Sequence, residues 1–455
     1  MRPDPFSARD LVQLKDRGIS LDEARRQLAL LATGAPPMVL RRPCVVGDGI
    51  VQLEPRGHET LLAAADQASA EGRVSKFVPA SGAATRMFAD LIAALAGEDR
   101  PSARAAAGRF FAALDAFPFS LELRRRAGIE GDILTPGAER TILRTLLSEM
   151  RYAQLPKGLI PFHRDGEVRT PFEEHLLESA GYARARDGIV RSHFTVAPEF
   201  RHEFLAFFEE VRTALESRAP GTRFDVTFSV QQPSTDTLAL DEHGQPFRTS
   251  DSSLLFRPAG HGALLENLRA LGADLVAIKN IDNVVPFARS REVVLWKRLL
   301  IGYLVTMQSR MPRDRPLRVC GVVRNEGEPG GAPFWVVRRD GRESAQIVES
   351  SQIDRSNPEQ QRIFESATHF NPVDLVCAVR SPAGEPFDLQ AFVDESAVFV
   401  SAKSHEGRPL TALERPGLWN GAMADWHTVF VEVPGSTFAP VKTVFDLLRP
   451  EHQSL

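Results

Sequence analysis

The residues best placed to do chemistry lie in the run 78–87, VPASGAATRM, where Ser81, Gly82, Ala83, Ala84 and Thr85 lead into Arg86. The stretch before it reads as a short buried strand, and FADLIAALAG after it has the apolar spacing of a helix. Small residues in such a loop let the backbone approach a ligand with its N–H groups inward, and a helix start adds positive potential. Together these features suit a phosphate. A guanidinium at Arg86 adds two-pronged phosphate contact. Taken alone, the same pattern is as often only a tight turn.

Four further segments follow in order: LPKGLIPF with Lys157, RPAGHGALLENL with Gly260, His261 and Gly262, IKNIDNVV with Asp282, and FAPVKTVFDLL with Lys442. In this order the five resemble the sugar-nucleotide pyrophosphorylases, most closely the UDP-N-acetylhexosamine and UDP-sugar branch. There a glycine-rich loop ending in Thr-Arg, a Pro-Lys, a proline with Gly-x-Gly, an Asp-Asn after a strand and a Pro-Val-Lys occur in sequence. The chain is also similar to a bacterial family of unknown function placed near that group. The resemblance runs in patches from about residue 70 to the C-terminus.

The resemblance implies a magnesium-dependent nucleotidyltransferase that joins an NTP, UTP by expectation, to a sugar 1-phosphate and releases pyrophosphate. Attack by an already anionic phosphate needs charge neutralisation and alignment more than an activated nucleophile. Arg86 matches the arginine that holds the β- and γ-phosphates, and Lys157 the lysine at the reaction centre. Ser81, Gly82, Ala83, Ala84 and Thr85 then form the nucleotide loop. Gln231 (or Gln232) and Gly260-His261-Gly262 face the base. Asp282 would bind Mg2+ with the α-phosphate, in keeping with oxygen coordination, and Asp425 is the expected second ligand. Lys442 reaches the phosphates or sugar from the far side, while Glu349, Asn371 and Asn420 face the sugar.

Each residue also has a plainer reading. Lys157 on its own is a solvated loop lysine, Asp282 an Asp capping a turn beside Asn283, Gln231 an edge-strand glutamine, and Trp419 and Trp426 core residues. Two departures from the resembled pattern stand out. His261 replaces an asparagine, and Ala84 replaces a glycine, which costs on the order of 1 kcal/mol wherever φ must be positive. Two other functions use the same sheet: a glycosyltransferase, which needs neither Arg86 nor Lys157, and a non-catalytic nucleotide-sugar-binding protein.

The elements that must position these groups are legible in outline. Residues 8–33 read as two amphipathic helices, with Ser20 and Glu23 as a capping signal for the second. A proline-bearing linker (Pro36, Pro37, Pro43) and a helix from about Glu59 to Ala70 follow. Residues 91–154 read as a helical insertion. From about 190 onward strands alternate with helices, which predicts an α/β fold with a mainly parallel sheet, and the resemblance implies that it is Rossmann-like (GT-A-like). Ligands of such sheets bind at the carboxyl ends of strands. Residues 316–354 read as a small antiparallel subregion, and the tail returns to a strand, a loop and a helix. The expected organisation is a helical segment at 1–68, a nucleotidyltransferase-like core at 69–315 carrying the insertion, and a C-terminal part at 316–455.

Composition sets the limits. The 455 residues are 43% hydrophobic and 25% charged, as in a globular protein with a large core. A formal net charge of -4 argues against a general nucleic-acid surface. No run approaches the roughly 20 apolar residues of a membrane helix. The N-terminus lacks the apolar core of a signal peptide. Cys44, Cys320 and Cys377 are odd in number and lack metal-ligand spacing, so a cytoplasmic setting is expected.

Overall fold

A computed structural model describes residues 5–129, 136–312, 314–328, 330–338 and 340–453. The fold is mixed α/β, with a large mixed sheet and, among the described residues, twelve α-helices. The chain divides into two interleaved units. One holds Met1–Thr60, Val230–Val276 and Tyr303–Val433, the other Leu61–Ser229, Ala277–Gly302 and Pro434–Leu455.

In the second unit the strands Val74–Pro79, Ile189–Thr195 and Arg223–Ser229 lie parallel, with Phe77 opposite His193 and His193 opposite Thr227. All six residues of Val74–Pro79 are buried, as a parallel strand covered on both faces requires. Backbone bonds from Lys279 to Phe77 and from Ile281 to Pro79 (3.3 Å each) carry the chain beyond the strand Leu275–Ile278 along the same edge. Helix Arg291–Gln308 crosses His58–Ala70 at Gly302, where a Cβ would stand 1.8 Å from the Leu61 carbonyl oxygen. Only glycine fits there.

The insertion is helical as expected, through Ala89–Leu95, Pro101–Ala112, Ser120–Ala127 and Pro136–Arg144, although residues 130–135 lie outside the described residues. Phe110, Phe117 and Phe119 stack at its centre with ring spacings of 5.0 and 5.3 Å. It ends in a π-helical turn, Thr145–Glu149, followed by Arg151 at φ 61°. A left-handed arginine costs roughly 1 kcal/mol, and it swings the chain back toward the loop at 81–86.

In the first unit Leu317–Arg324 lies between His369–Ala378, antiparallel, and His427–Glu432, parallel, and the order continues through Gly49–Val51 to Val45–Val46. The expected antiparallel subregion is present in modified form. Ala332–Val337 and Glu343–Val348 form it with Val39–Pro43, while Leu317–Arg324 joins the large sheet. The N-terminal segment therefore holds short strands as well as its two helices, Ala8–Arg17 and Leu21–Thr33. Ser20 caps the second helix, its hydroxyl accepting from the Glu23 amide at 3.1 Å. In the tail, Val444–Leu448 forms a 3-10 turn where a helix was expected. No described helix is long and apolar enough to cross a membrane.

Candidate functional site

Two strand ends in the second unit open onto the segments singled out from the sequence. Val74–Pro79 runs into the loop with Ser81–Arg86, and the strand ending at Ile278 runs into Asp282. Backbone bonds stitch the segments together. The Ala84 amide donates to the Leu155 carbonyl (2.9 Å) and Lys157 to Gly82 (3.3 Å); Val441 donates to Asp282 (2.9 Å) and Val444 to Met87 (3.0 Å). The Asn283 side chain accepts from the Ala439 amide at 2.9 Å. One apolar cluster underlies all four, since Ala84, Met87, Ile160, Val284, Val441 and Val444 share it with the insertion's phenylalanines. The insertion therefore supplies the floor of this region.

Above that floor, Asp282 Oδ2 accepts from Lys157 Nζ at 2.8 Å and from Lys442 Nζ at 3.1 Å, and Lys157 also donates to the Val441 carbonyl at 2.6 Å. Asp282 and Lys157 are mostly buried, while Lys442 keeps 63% of its side-chain exposure. Burial pushes the Asp282 carboxyl up, but Lys157 and Lys442 outweigh it and hold the group below the usual carboxylate range. Burial pushes the Lys157 ammonium down, and Lys442 and Arg86 repel it further, against partial support from Asp282. Arg86 is exposed at the loop's end. Two lysines thus share one ionised carboxylate, with the Arg86 charge close enough to Lys157 to repel it.

That balance fixes a pH dependence. The protonated form of Lys157 is the one that can hold a phosphate, and its pKa lies below the ordinary lysine value of 10.5. If this site takes pyrophosphate, its affinity should therefore fall on the alkaline side at a pH below that value. Lys442→Met removes a repelling charge, so the fall should move to higher pH. Affinity measured against pH in both proteins checks this, and an unmoved or lowered limb contradicts it.

The loop answers the question raised by Ala84. No residue from Ser81 to Thr85 has a positive φ, so alanine carries no Cβ penalty there. Ser81, Gly82, Ala83 and Thr85 are exposed, and the Thr85 hydroxyl donates to the Ala153 carbonyl at 2.9 Å.

The remaining sequence candidates belong to the first unit. Gly260 has φ 75° and lies against Glu414, and a Cβ at Gly262 would meet the Pro416 carbonyl oxygen at 2.0 Å. The chain's own backbone thus accounts for the second glycine. The exposed His261 ring lies 6.0 Å from that of Trp419, edge-on. Gln231 donates to Asp236 at 3.2 Å. Glu349 accepts from Asn371 at 2.8 Å, Gln352 accepts from the Glu349 amide at 2.9 Å, and Asn420 donates to Gln352 at 3.3 Å. One network therefore joins the three sugar-facing candidates through a residue that the sequence did not single out. Burial pushes the Glu349 carboxyl up, and Asn371 Oδ1 is buried with no partner among the described residues.

Asp425 pairs with Arg338. Trp426 is core, at 4% exposure. No group of three or more metal-ligating side chains occurs among the described residues.

Nearly the whole sequence, residues 7–313 and 311–453, matches the family described as a domain of unknown function (DUF4301), and the chain belongs to that family. No curated protein is significantly similar in sequence. Solved structures are similar in fold. The uridine diphosphate N-acetylglucosamine pyrophosphorylase of Trypanosoma brucei, in complex with an inhibitor, superposes with a TM-score of 0.54 at 15% identity, over 97% of this chain and 79% of that one. A mutant UDP-glucose pyrophosphorylase of Leishmania major in complex with UDP-glucose gives 0.54 at 13% identity, over 98% and 78%.

Proposed function

We propose that this chain of the DUF4301 family is a nucleotidyltransferase that joins an NTP, UTP by preference, to a sugar 1-phosphate. The observation that carries the reading is the pair Lys157 and Lys442 on the Asp282 carboxylate, with the Arg86 charge near Lys157, beside the ends of two strands. A GT-A-like sheet is the scaffold this reading assumes, and the similarity in fold to pyrophosphorylases supports it.

In the reaction an oxygen of the sugar 1-phosphate attacks the α-phosphorus of the NTP. The new P–O bond forms as the bond from the α-phosphorus to the bridging oxygen breaks, and pyrophosphate departs with the electron pair. No proton need move, so the side chains act by charge and alignment. Lys157 and Lys442 exchange Asp282 for phosphate oxygens, and Arg86 takes the leaving phosphates. Gly260, His261, Gly262 and Gln231 remain the sequence's candidates for the base, and Glu349, Asn371 and Asn420 for the sugar hydroxyls.

The residues fit magnesium in their donor chemistry. Asp282 is ionised, and both lysines bond the same oxygen, Oδ2. Mg2+ commonly takes one or two carboxylates and completes its shell with phosphates and water. Asp282 would hold it, and the ion would neutralise phosphate charge.

A thermal-shift screen of NTPs and UDP-sugars, with and without Mg2+, tests the reading. At a hundredfold excess over Kd a ligand should stabilise by about 2.7 kcal/mol, a shift of several degrees. We expect a shift with UTP that depends on magnesium, and we expect Asp282→Ala to abolish this dependence. A shift with UDP-sugars alone favours a binding protein or glycosyltransferase, and no shift with any nucleotide overturns the proposal.

A further inference from the structure

The helix Pro171–Ala180 begins soon after Lys157 and is capped by Thr170, whose hydroxyl accepts from the Glu173 amide. Its inward face should be apolar, and Phe172, Leu176 and Leu177 are. Yet Glu174, His175 and Glu178, one helical face by their spacing, are buried as well. Buried polar groups are retained only where partners satisfy them, and here the partners lie on the segments that bear the candidate site.

Glu178 holds two of these segments. Its Oε1 accepts from Lys76 Nζ at 3.0 Å, and its Oε2 accepts from Lys279 Nζ at 2.8 Å. Lys76 lies on the strand that enters the loop of Arg86, and Lys279 lies three residues before Asp282. Glu174 reaches a third. Its Oε1 lies 3.1 Å from His163 Nδ1, and His163 Nε2 lies 2.9 Å from Nδ1 of His452, in the terminal segment that carries Lys442.

His175 acts on the site most directly. Its Nε2 lies 3.1 Å from the Asn280 carbonyl oxygen and 3.2 Å from that of Ile281, so Nε2 carries the hydrogen and donates to both. Those carbonyls end at the residue before Asp282. Nδ1 has no partner among the described residues, so the ring makes no other side-chain hydrogen bond. Burial and the neighbouring Lys76 hold the imidazole well below the ordinary histidine value, which keeps it neutral and its donor fixed.

We infer that this helix is the positioning element of the candidate site, and that His175 sets where Asp282 is presented to Lys157 and Lys442. The inference rests on the proposed function for its catalytic consequence, but the positioning itself is a property of the fold. A group that holds a reacting carboxylate through its backbone acts on alignment, and a displacement of about 1 Å can cost a hundredfold in rate.

The test compares His175→Leu, which keeps bulk and loses the donor, with His175→Gln, whose amide nitrogen can still donate. Amide hydrogen exchange reads the geometry without any need for turnover. The Asn283 amide donates to Asn280, and the Val441 amide donates to Asp282. In His175→Leu both should exchange at least about tenfold faster, while the strand Arg223–Ser229 stays within about twofold. His175→Gln should stay within about threefold of the parent. Exchange unchanged at these two amides, or accelerated equally everywhere, overturns the inference.

If the parent protein forms nucleotide sugar, His175→Leu should lower kcat by about tenfold or more with nucleotide KM within threefold, and His175→Gln should restore it. A kcat unchanged in His175→Leu overturns the inference. If the parent protein shows no turnover, the functional proposal fails and the exchange result alone decides. Should His175→Leu not fold, His175→Asn, whose shorter amide cannot span both carbonyls, takes its place with the same expected exchange.

Discussion

Asp282→Asn is expected to lower nucleotide-sugar formation by about a thousandfold while strengthening pyrophosphate binding in the absence of magnesium. The two effects have opposite signs because Asp282 does two things. It neutralises Lys157 and Lys442, and so competes with phosphate for their ammonium groups. Under the proposed function it is also the carboxylate that would hold the metal. Without its charge, Lys157 and Lys442 face the ligand uncompensated, and a polyanion gains. Under the proposed function the same loss would remove the metal's anchor and the alignment of Lys157, and the chemical step would fail. Calorimetric titration of pyrophosphate into metal-free protein, set beside an assay of product formation, separates the effects. If binding without metal weakens along with turnover, Asp282 serves the fold rather than the balance of charge.

Glu178→Gln should cost about 3–5 kcal/mol of stability, a loss of roughly 3–5 °C in Tm for a chain this long. Lys76 and Lys279 are both almost fully buried and share this one carboxylate, so a neutral amide would leave two ammonium groups without a counter-charge. Burial raises the Glu178 carboxyl, but Lys279 and Lys76 overcome it and hold the group well below the ordinary 4.5. A carboxylate with a lowered folded-state pKa contributes stability that is complete above its unfolded value and fades as pH falls through the folded one. The gap between parent and variant should therefore be full near neutrality and close on acidification. Combining Glu178→Gln with Lys76→Met and Lys279→Met should recover most of the loss, since well-packed apolar groups can replace a buried ionic cluster at little cost. Thermal unfolding of the three proteins from neutral to acid pH decides it. A variant as stable as its parent at neutral pH contradicts the account.

The parts of the site that could be read in advance are those where chain order and chemistry coincide. Arg86 and Asp282 each follow a buried apolar run, so strand-end geometry was implied by the residues themselves. Lys157 and Lys442 became legible only through their order relative to those two. The bonds that join them, Val441 to Asp282 and Lys157 to Gly82, link residues far apart in sequence, and no local pattern encodes them.

The positioning helix shows the limit most clearly. Glu174, His175 and Glu178 have the spacing of a solvated helix face, and nothing local reveals that Lys76, Lys279 and two carbonyls lie against them. The same limit explains other departures. Val39–Pro43 becomes a strand because Ala332–Val337 offers it an edge, despite nearby prolines. Gly262 resembles a ligand-facing glycine, yet the contact that requires it is Pro416. Ala84 looked costly only while its backbone angle was unknown.

The most direct test of the central claim is a pyrophosphate-release assay on the purified chain with UTP, Mg2+ and a panel of sugar 1-phosphates. The account predicts release that requires both substrates and the metal, with a nucleotide sugar formed in equal amount, and that Lys157→Ala and Asp282→Asn both abolish. Nucleotide binding without release for any NTP and sugar 1-phosphate, under conditions where the protein is folded, would contradict it.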